Sequence, residues 1–113
     1  MPIDATIRRA ARWNIEIQQG STWARTLNFG ETPIDSLEFR GQIRRTHDDP
    51  EVLAEFSFEN LGDNRLAVSL DPASTEAIPA GRHVFDIEAY TTEDEFVARL
   101  LEGRADVSPE VTR

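Results

Sequence analysis

Apolar residues in this chain recur at every second position, in short runs broken by turn signals. Trp13, Ile15 and Ile17 alternate with polar residues over 13–19, a period of two that marks a strand with one buried face. Gly20-Ser21 turns the chain, and Trp23, Leu27 and Phe29 share a face of a second run over 22–29. Arg25 interrupts that face, so it is expected near an edge or end, with its stem packed and its head in water. After a loop over 30–36, Leu37, Phe39, Gly41 and Ile43 alternate with Glu38, Arg40, Gln42 and Arg44 in a third strand. The small Gly41 signals a bulge or the close approach of a neighbour. A turn over 46–51 leads to a fourth strand, 52–58, with Val52, Ala54, Phe56 and Phe58 inward. A hairpin-type connection over 59–64 joins it to a fifth strand, 65–70, with Leu66, Val68 and Leu70 inward.

One short helix is predicted next. Asp71 is a capping residue and Pro72 suits the first helical position, while Pro79 limits the segment to one or two turns. The closing stretch, 81–107, has the pattern of a long antiparallel hairpin around the acidic connector 91–95. Phe85, Ile87 and Ala89 line one face of its first arm. Val97, Leu101, Ala105 and Val107 share a face of its second arm, with Arg99 and Gly103 between them. Pro109 ends the ladder. About seven short strands with regular turns and no long helix predict an all-β fold, a single antiparallel β-sandwich of immunoglobulin-like type. A small barrel is the alternative. Residues 1–12 read as a basic N-terminal arm and 13–113 as the sandwich domain.

A length of 113 residues sets this as one domain, and folding of such a chain removes about two-thirds of its surface from water. With no cysteine, the core must rest on Trp13, Trp23, Phe29, Phe39, Phe56, Phe58 and Phe85 rather than on a disulfide. No apolar run approaches the roughly 20 residues of a membrane span, and no signal-peptide core is expected at the N-terminus. The net charge of −9 argues against nucleic acid as a partner. All the basic residues are arginine, and Arg8, Arg9 and Arg12 cluster in the arm. Two readings stand: a compositional bias of the genome, or a surface suited to planar, bidentate carboxylate contacts.

The chain offers little chemistry. His47 sits among Asp48, Asp49 and Glu51, a donor set for a divalent cation, but the spacing matches no calcium loop and reads better as a solvated turn. His83 reads as a packed or half-exposed strand residue. Glu93, Asp94 and Glu95 form an acidic hairpin tip of the kind that aids solubility or blocks edge pairing. No serine lies in a nucleophile elbow and no glycine loop cradles phosphate. Asp86 and Glu88 share a strand face, but Arg99 and Arg104 on the neighbouring strand offer them simple cross-strand partners. The expectation is therefore no enzyme, no cofactor and no metal, with partner-binding assigned to Arg8, Arg9, Arg12, Arg40 and Arg44.

The closing segment is more specific than its composition. Gly81-Arg82-His83-Val84-Phe85-Asp86-Ile87-Glu88, Arg99-Leu100-Leu101-Glu102-Gly103 and Ser108-Pro109-Glu110-Val111-Thr112-Arg113 resemble the end of a family of small tailed-phage proteins. Its members close with a Gly-x-x-x-Tyr-Asp-Leu-Glu strand, an Arg-Leu-Leu-x-Gly strand and a Ser-Pro-Glu-Val-Thr-Arg tail. Ile15-Glu16-Ile17-Gln18-Gln19-Gly20, Pro33-Ile34-Asp35-Ser36-Leu37, Gln42-Ile43-Arg44 and the segment Ser74 to Gly81 resemble earlier parts of the same family. The likeness spans most of 14–113 and departs at Phe85, where tyrosine is usual, and at Ser36-Leu37-Glu38. It implies a β-sandwich similar to the N-terminal modules of baseplate and tail-fibre adaptors. It further implies a virion location, other virion proteins (tail, baseplate, portal or capsid) as partners, and several copies or a homo-oligomer in the particle. A capsid decoration protein and a small ligand- or calcium-binding β module are the alternatives.

Overall fold

The computed structural model describes the backbone of residues 3–4 and the full residues 10–93 and 95–112. Ten strands and one helix follow in chain order: β1 (Ile3–Asp4), β2 (Ala11–Arg12), β3 (Ile15–Gln18), β4 (Trp23–Asn28), β5 (Glu38–Arg44), β6 (Ala54–Glu55), β7 (Ser57–Gly62), β8 (Arg65–Leu70), α1 (Pro72–Ala77), β9 (Gly81–Tyr90) and β10 (Val97–Ser108). They form two sheets, one in the order β1-β4-β8-β7 and one in the order β2-β10-β9-β5-β6, with β3 also on β10. This is an immunoglobulin-like β-sandwich with one short helix, as the strand pattern predicts.

Alternation places the core between the sheets. Ile15 and Ile17, Leu66, Val68 and Leu70, and Phe85, Ile87 and Ala89 are all buried, each flanked by more exposed neighbours on the same strand. The aromatic residues cross the gap in two chains. One runs Trp13–Trp23–Phe56–Phe85, with ring centroids 6.3, 5.5 and 5.9 Å apart. The other runs Phe29–Phe39–Phe58 at 6.1 and 6.0 Å. Such offset and edge contacts join the layers where antibody domains carry a disulfide. Arg25 lies where expected, on a stretch of β4 that β1 leaves unpaired, with its guanidinium 5.1 Å from the Trp23 ring centroid.

Four local features depart from the strand pattern. The predicted strand over 52–58 is broken at Phe56, with Ala54 opposite Ile43 in one sheet and Phe58 opposite Val68 in the other. The predicted connection over 59–64 tightens to the two residues Asp63 and Asn64. Both have positive φ, the geometry of a type I′ hairpin. A register shift between Arg99 and Leu101 turns Arg99 out to solvent and buries Leu100 and Leu101 together, so Arg99 does not share the inward face. Finally, β2 and β3 run parallel to β10 and are separated at Trp13-Asn14. Ala11–Arg12, read from sequence as the end of the arm, is therefore laid into the sheet.

Two glycines make these contacts possible. At Gly41 an added Cβ would lie 2.8 Å from the Asp86 carbonyl oxygen and 3.0 Å from the Phe56 ring. This is the close approach that its position in the third strand signals. At Gly103 an added Cβ would overlap the Trp13 carbonyl oxygen. The Trp13 N–H donates to Glu102 O at 2.9 Å, and the Arg104 N–H donates to Asn14 Oδ1 at 3.1 Å, so the crossing is pinned on both sides of the glycine.

At one end, α1 is capped by Asp71, whose carboxylate accepts from the Ser74 N–H at 2.7 Å and is held below its ordinary pKa by that bond. Thr75 and Ile78 bury the helix against the core. The Gln19 side chain ties the same end together: it donates to Ile78 O at 2.8 Å and accepts from the Glu110 N–H at 3.2 Å.

Two predictions follow from this packing. Gly103→Ala should destabilise the fold by about 3 kcal/mol or more, because a backbone carbonyl has to move, and Gly41→Ala by about 1–3 kcal/mol. Urea titration at constant m-value checks both. Trp23→Ala should cost about 3–5 kcal/mol. Trp23→Phe should cost clearly less, since the buried Nε1–H has no hydrogen-bond partner to lose.

Candidate partner-binding face

The outer face of the β10-β9-β5 sheet collects most of the side chains that sequence reasoning singled out. Strand alternation sends Arg40, Gln42 and Arg44 outward from β5, Arg82, Val84, Asp86, Glu88 and Tyr90 from β9, and Glu102, Arg104 and Asp106 from β10. Cross-strand register then decides their partners. Arg40 lies opposite Glu88, and its Nε donates to Glu88 Oε1 at 2.8 Å while the guanidinium sits 4.3 Å from the Tyr90 ring centroid. Arg99 bridges Asp86 at 3.6 Å and Glu102 at 3.2 Å. Arg104 pairs with Asp106 at 3.0 Å on its own strand, and Arg82 reaches the same carboxylate at 3.7 Å. These pairs are solvent-exposed and worth at most about 1 kcal/mol each.

Asp86 is the most perturbed group on this face. Partial burial raises its pKa, and the neighbouring Glu88 and Glu102 add to the rise, while Arg99 and His47 oppose it. The pairing expected for Asp86 with Arg99 is present, whereas Glu88 takes Arg40 from the other side instead.

The five arginines assigned to partner binding divide into three groups. Arg8 and Arg9 lie outside the described residues. Arg40 and Arg44 are on the outer face and are engaged internally. Arg44 donates twice to Gln42 Oε1 and once to Asp49 O at 2.9 Å, which holds the 46–50 turn against the sheet. Arg12 is exposed and makes no ion pair among the described residues.

Two clefts indent this face and share His47 and Val84. The larger, of about 450 Å³, opens between the Trp13-Asn14 crossing and the Arg45–His47 segment. Its lining carries Arg12, Arg45, Arg82, Arg104, His47 and Glu102. Arg45 is paired with Glu51 at 2.5 Å, and Arg82 and Arg104 share Asp106, which leaves Arg12 as the lining arginine with no ion pair among the described residues. The smaller, of about 280 Å³, runs between β5 and β9 beside Arg40, Arg44 and Asp86. Sequence reasoning missed the larger cleft. Its walls come from segments far apart in the chain, and no local sequence signal brings them together.

Chemistry beyond binding is sparse. His83 is buried near the start of β9, with Nε2 2.6 Å from Pro79 O and Nδ1 without a partner. The short contact to a carbonyl oxygen places the proton on Nε2. The bond ties the start of β9 back to the Pro79 carbonyl four residues upstream, a structural role. Among the described residues no group of three or more His, Asp or Glu side chains is arranged to hold a metal ion.

No family model matches the chain, and no curated protein matches it in sequence. Solved structures do match it in fold. The titin M3 domain superposes with a TM-score of 0.51 at 13% identity, covering 92% of this chain and 96% of that one. A cysteine protease inhibitor from Entamoeba histolytica superposes with a TM-score of 0.50 at 11% identity, covering 95% of each chain. Likeness at this level of identity concerns the fold, and it identifies the two sheets as those of an immunoglobulin-like domain.

Proposed function

We propose that this chain is a non-enzymatic structural protein of a tailed-phage virion. It acts as an adaptor of the tail, baseplate or neck that docks on a larger virion protein and helps attach a fibre or spike. The observation that carries the docking role is the outer sheet face. Arg12 and the cleft beside it concentrate positive charge on a protein whose net charge is −9. Arginine suits this task, since its planar fork meets carboxylates in bidentate pairs. The virion role rests on the family resemblance over 14–113. The two solved structures above are compatible with a binding module and do not bear on the virion.

Mass spectrometry of purified virions, fractionated into heads and tails, should find this protein at low copy number with the tails. High copy number on heads would favour a decoration protein, and absence from both would remove the virion role. The double charge reversal Arg8→Glu, Arg9→Glu should lower incorporation into particles at least about tenfold, the equivalent of 1.4 kcal/mol, with an unchanged melting temperature. Unaltered incorporation would exclude the arm from docking.

A further inference from the structure

The cationic cleft and the acidic hairpin tip lie at opposite ends of the same hairpin. Tyr90 pairs with Val97 at the tip, and His83 pairs with Ala105 beside the cleft. Seven residues of extended strand separate the two ends, roughly 23 Å at the usual rise per residue. The tip of a molecule therefore cannot reach its own cleft. The tip is also prepared for contact. The Thr91 N–H donates to Phe96 O at 3.0 Å and the Phe96 N–H to Thr91 Oγ1 at 3.1 Å, which ties the two ends of the connector together. That loop presents Glu93 and Glu95 to solvent beside Phe96 and Val97, two of the few large apolar side chains exposed among the described residues.

We propose that the protein associates head to tail, the hairpin tip of one copy entering the cleft of a second. Charge complementarity carries the assignment. Glu93 and Glu95 meet Arg12, which has no ion pair among the described residues, and the outer guanidinium edges of Arg82 and Arg104, two cations that share one carboxylate, while Phe96 packs against Val84 in the cleft lining. An apolar anchor inside a charged rim is the usual anatomy of a specific contact. Because tip and cleft are different surfaces, the contact is heterologous. It generates a closed ring or an open filament. This inference goes beyond the virion reading and does not need it, since it concerns the purified protein alone.

The test is sedimentation velocity of the full chain across a concentration series at low and high salt. Wild type should associate at low salt and dissociate as salt rises, because the rim contacts are exposed to screening. Arg12→Glu and Glu95→Arg should each weaken association at least about tenfold, as like charges then face each other across the contact. Neither position makes an ion pair among the described residues, so both variants should keep the wild-type melting temperature. Mixed in equal amounts, the two variants should associate again. Every contact between unlike variants then pairs opposite charges, either as in wild type or in exchanged order. Phe96→Ser should weaken association without changing its salt dependence. A wild type that stays monomeric throughout would overturn the proposal. So would single variants that associate like wild type, or a mixture that stays dissociated while each variant alone is folded. Self-association without virion incorporation would leave this inference standing and remove the adaptor role, and the converse result would do the opposite.

Discussion

The backbone of Trp13 lies against Gly103 with no room between them for one methyl group, and much of the molecule depends on that contact. β10 is paired antiparallel to β9 on one side and parallel to β2 and β3 on the other. The chain leaves β10 and returns to it at Trp13-Asn14, held by the Glu102 carbonyl and the Arg104 N–H. The crossing aims the Trp13 ring at Trp23 in the opposite sheet and so starts the aromatic chain that ends at Phe85. The same crossing puts Trp13 and Asn14 among the lining of the larger cleft. Core packing and surface shape at this point share one cause. Any side chain at position 103 would separate β10 from its parallel partners, and the cleft lining and the aromatic chain would be disturbed together.

Most of the sandwich is legible in the sequence because alternation reports which side chains face the core. It does not report which sheet a strand belongs to. Residues 52–58 show this limit. Both sheets point their buried side chains at the same interior, so Ala54, Phe56 and Phe58 keep one phase while the strand passes from β5 to β8. Nothing in the run signals the change except Phe56, whose ring must lie over the glycine at position 41. The register shift after Arg99 is hidden for a related reason. A bulge adds one residue to the phase, and adjacent leucines at 100 and 101 are compatible with either assignment until β9 supplies the partner. The Asp71 cap and the turn before β8, by contrast, are local and depend on residue types with special backbone preferences. The helix cap is accordingly legible in the sequence, whereas the turn is legible only as part of the broader span 59–64.

The residues that carry the family resemblance can be followed into the structure. Gln19 comes from the opening strand, Ile78 from the segment before β9 and Glu110 from the tail, and the Gln19 side chain joins the other two. Gly20 takes a positive φ of 78° directly beside the Glu110 carboxylate, where a side chain would collide. Three motifs distant in sequence are thus explained by one junction at the end of the sandwich. Their recurrence in a family would follow from building this fold, so the junction accounts for the architecture rather than for a partner. The candidate face lies elsewhere, on the outward side chains of β5, β9 and β10.

The energetics of that face separate arginines that look equivalent in the sequence. Arg40 is paired with Glu88 and stacked near Tyr90, and Arg44 is committed to Gln42 and to the turn carbonyl of Asp49. A partner using either would have to replace contacts already made, so its net gain is the small difference between two exposed interactions. Arg12 has no such internal partner among the described residues, and it stands at a cleft where Arg82 and Arg104 share the single Asp106 carboxylate. A carboxylate that pairs with Arg12 displaces no ion pair among the described residues, whereas one that reaches Arg45, Arg82 or Arg104 competes with Glu51 or Asp106. In a chain this acidic, an arginine left without an ion pair among the described residues is a local feature of the crossing of Trp13 over Gly103, set by the fold and not by the net charge.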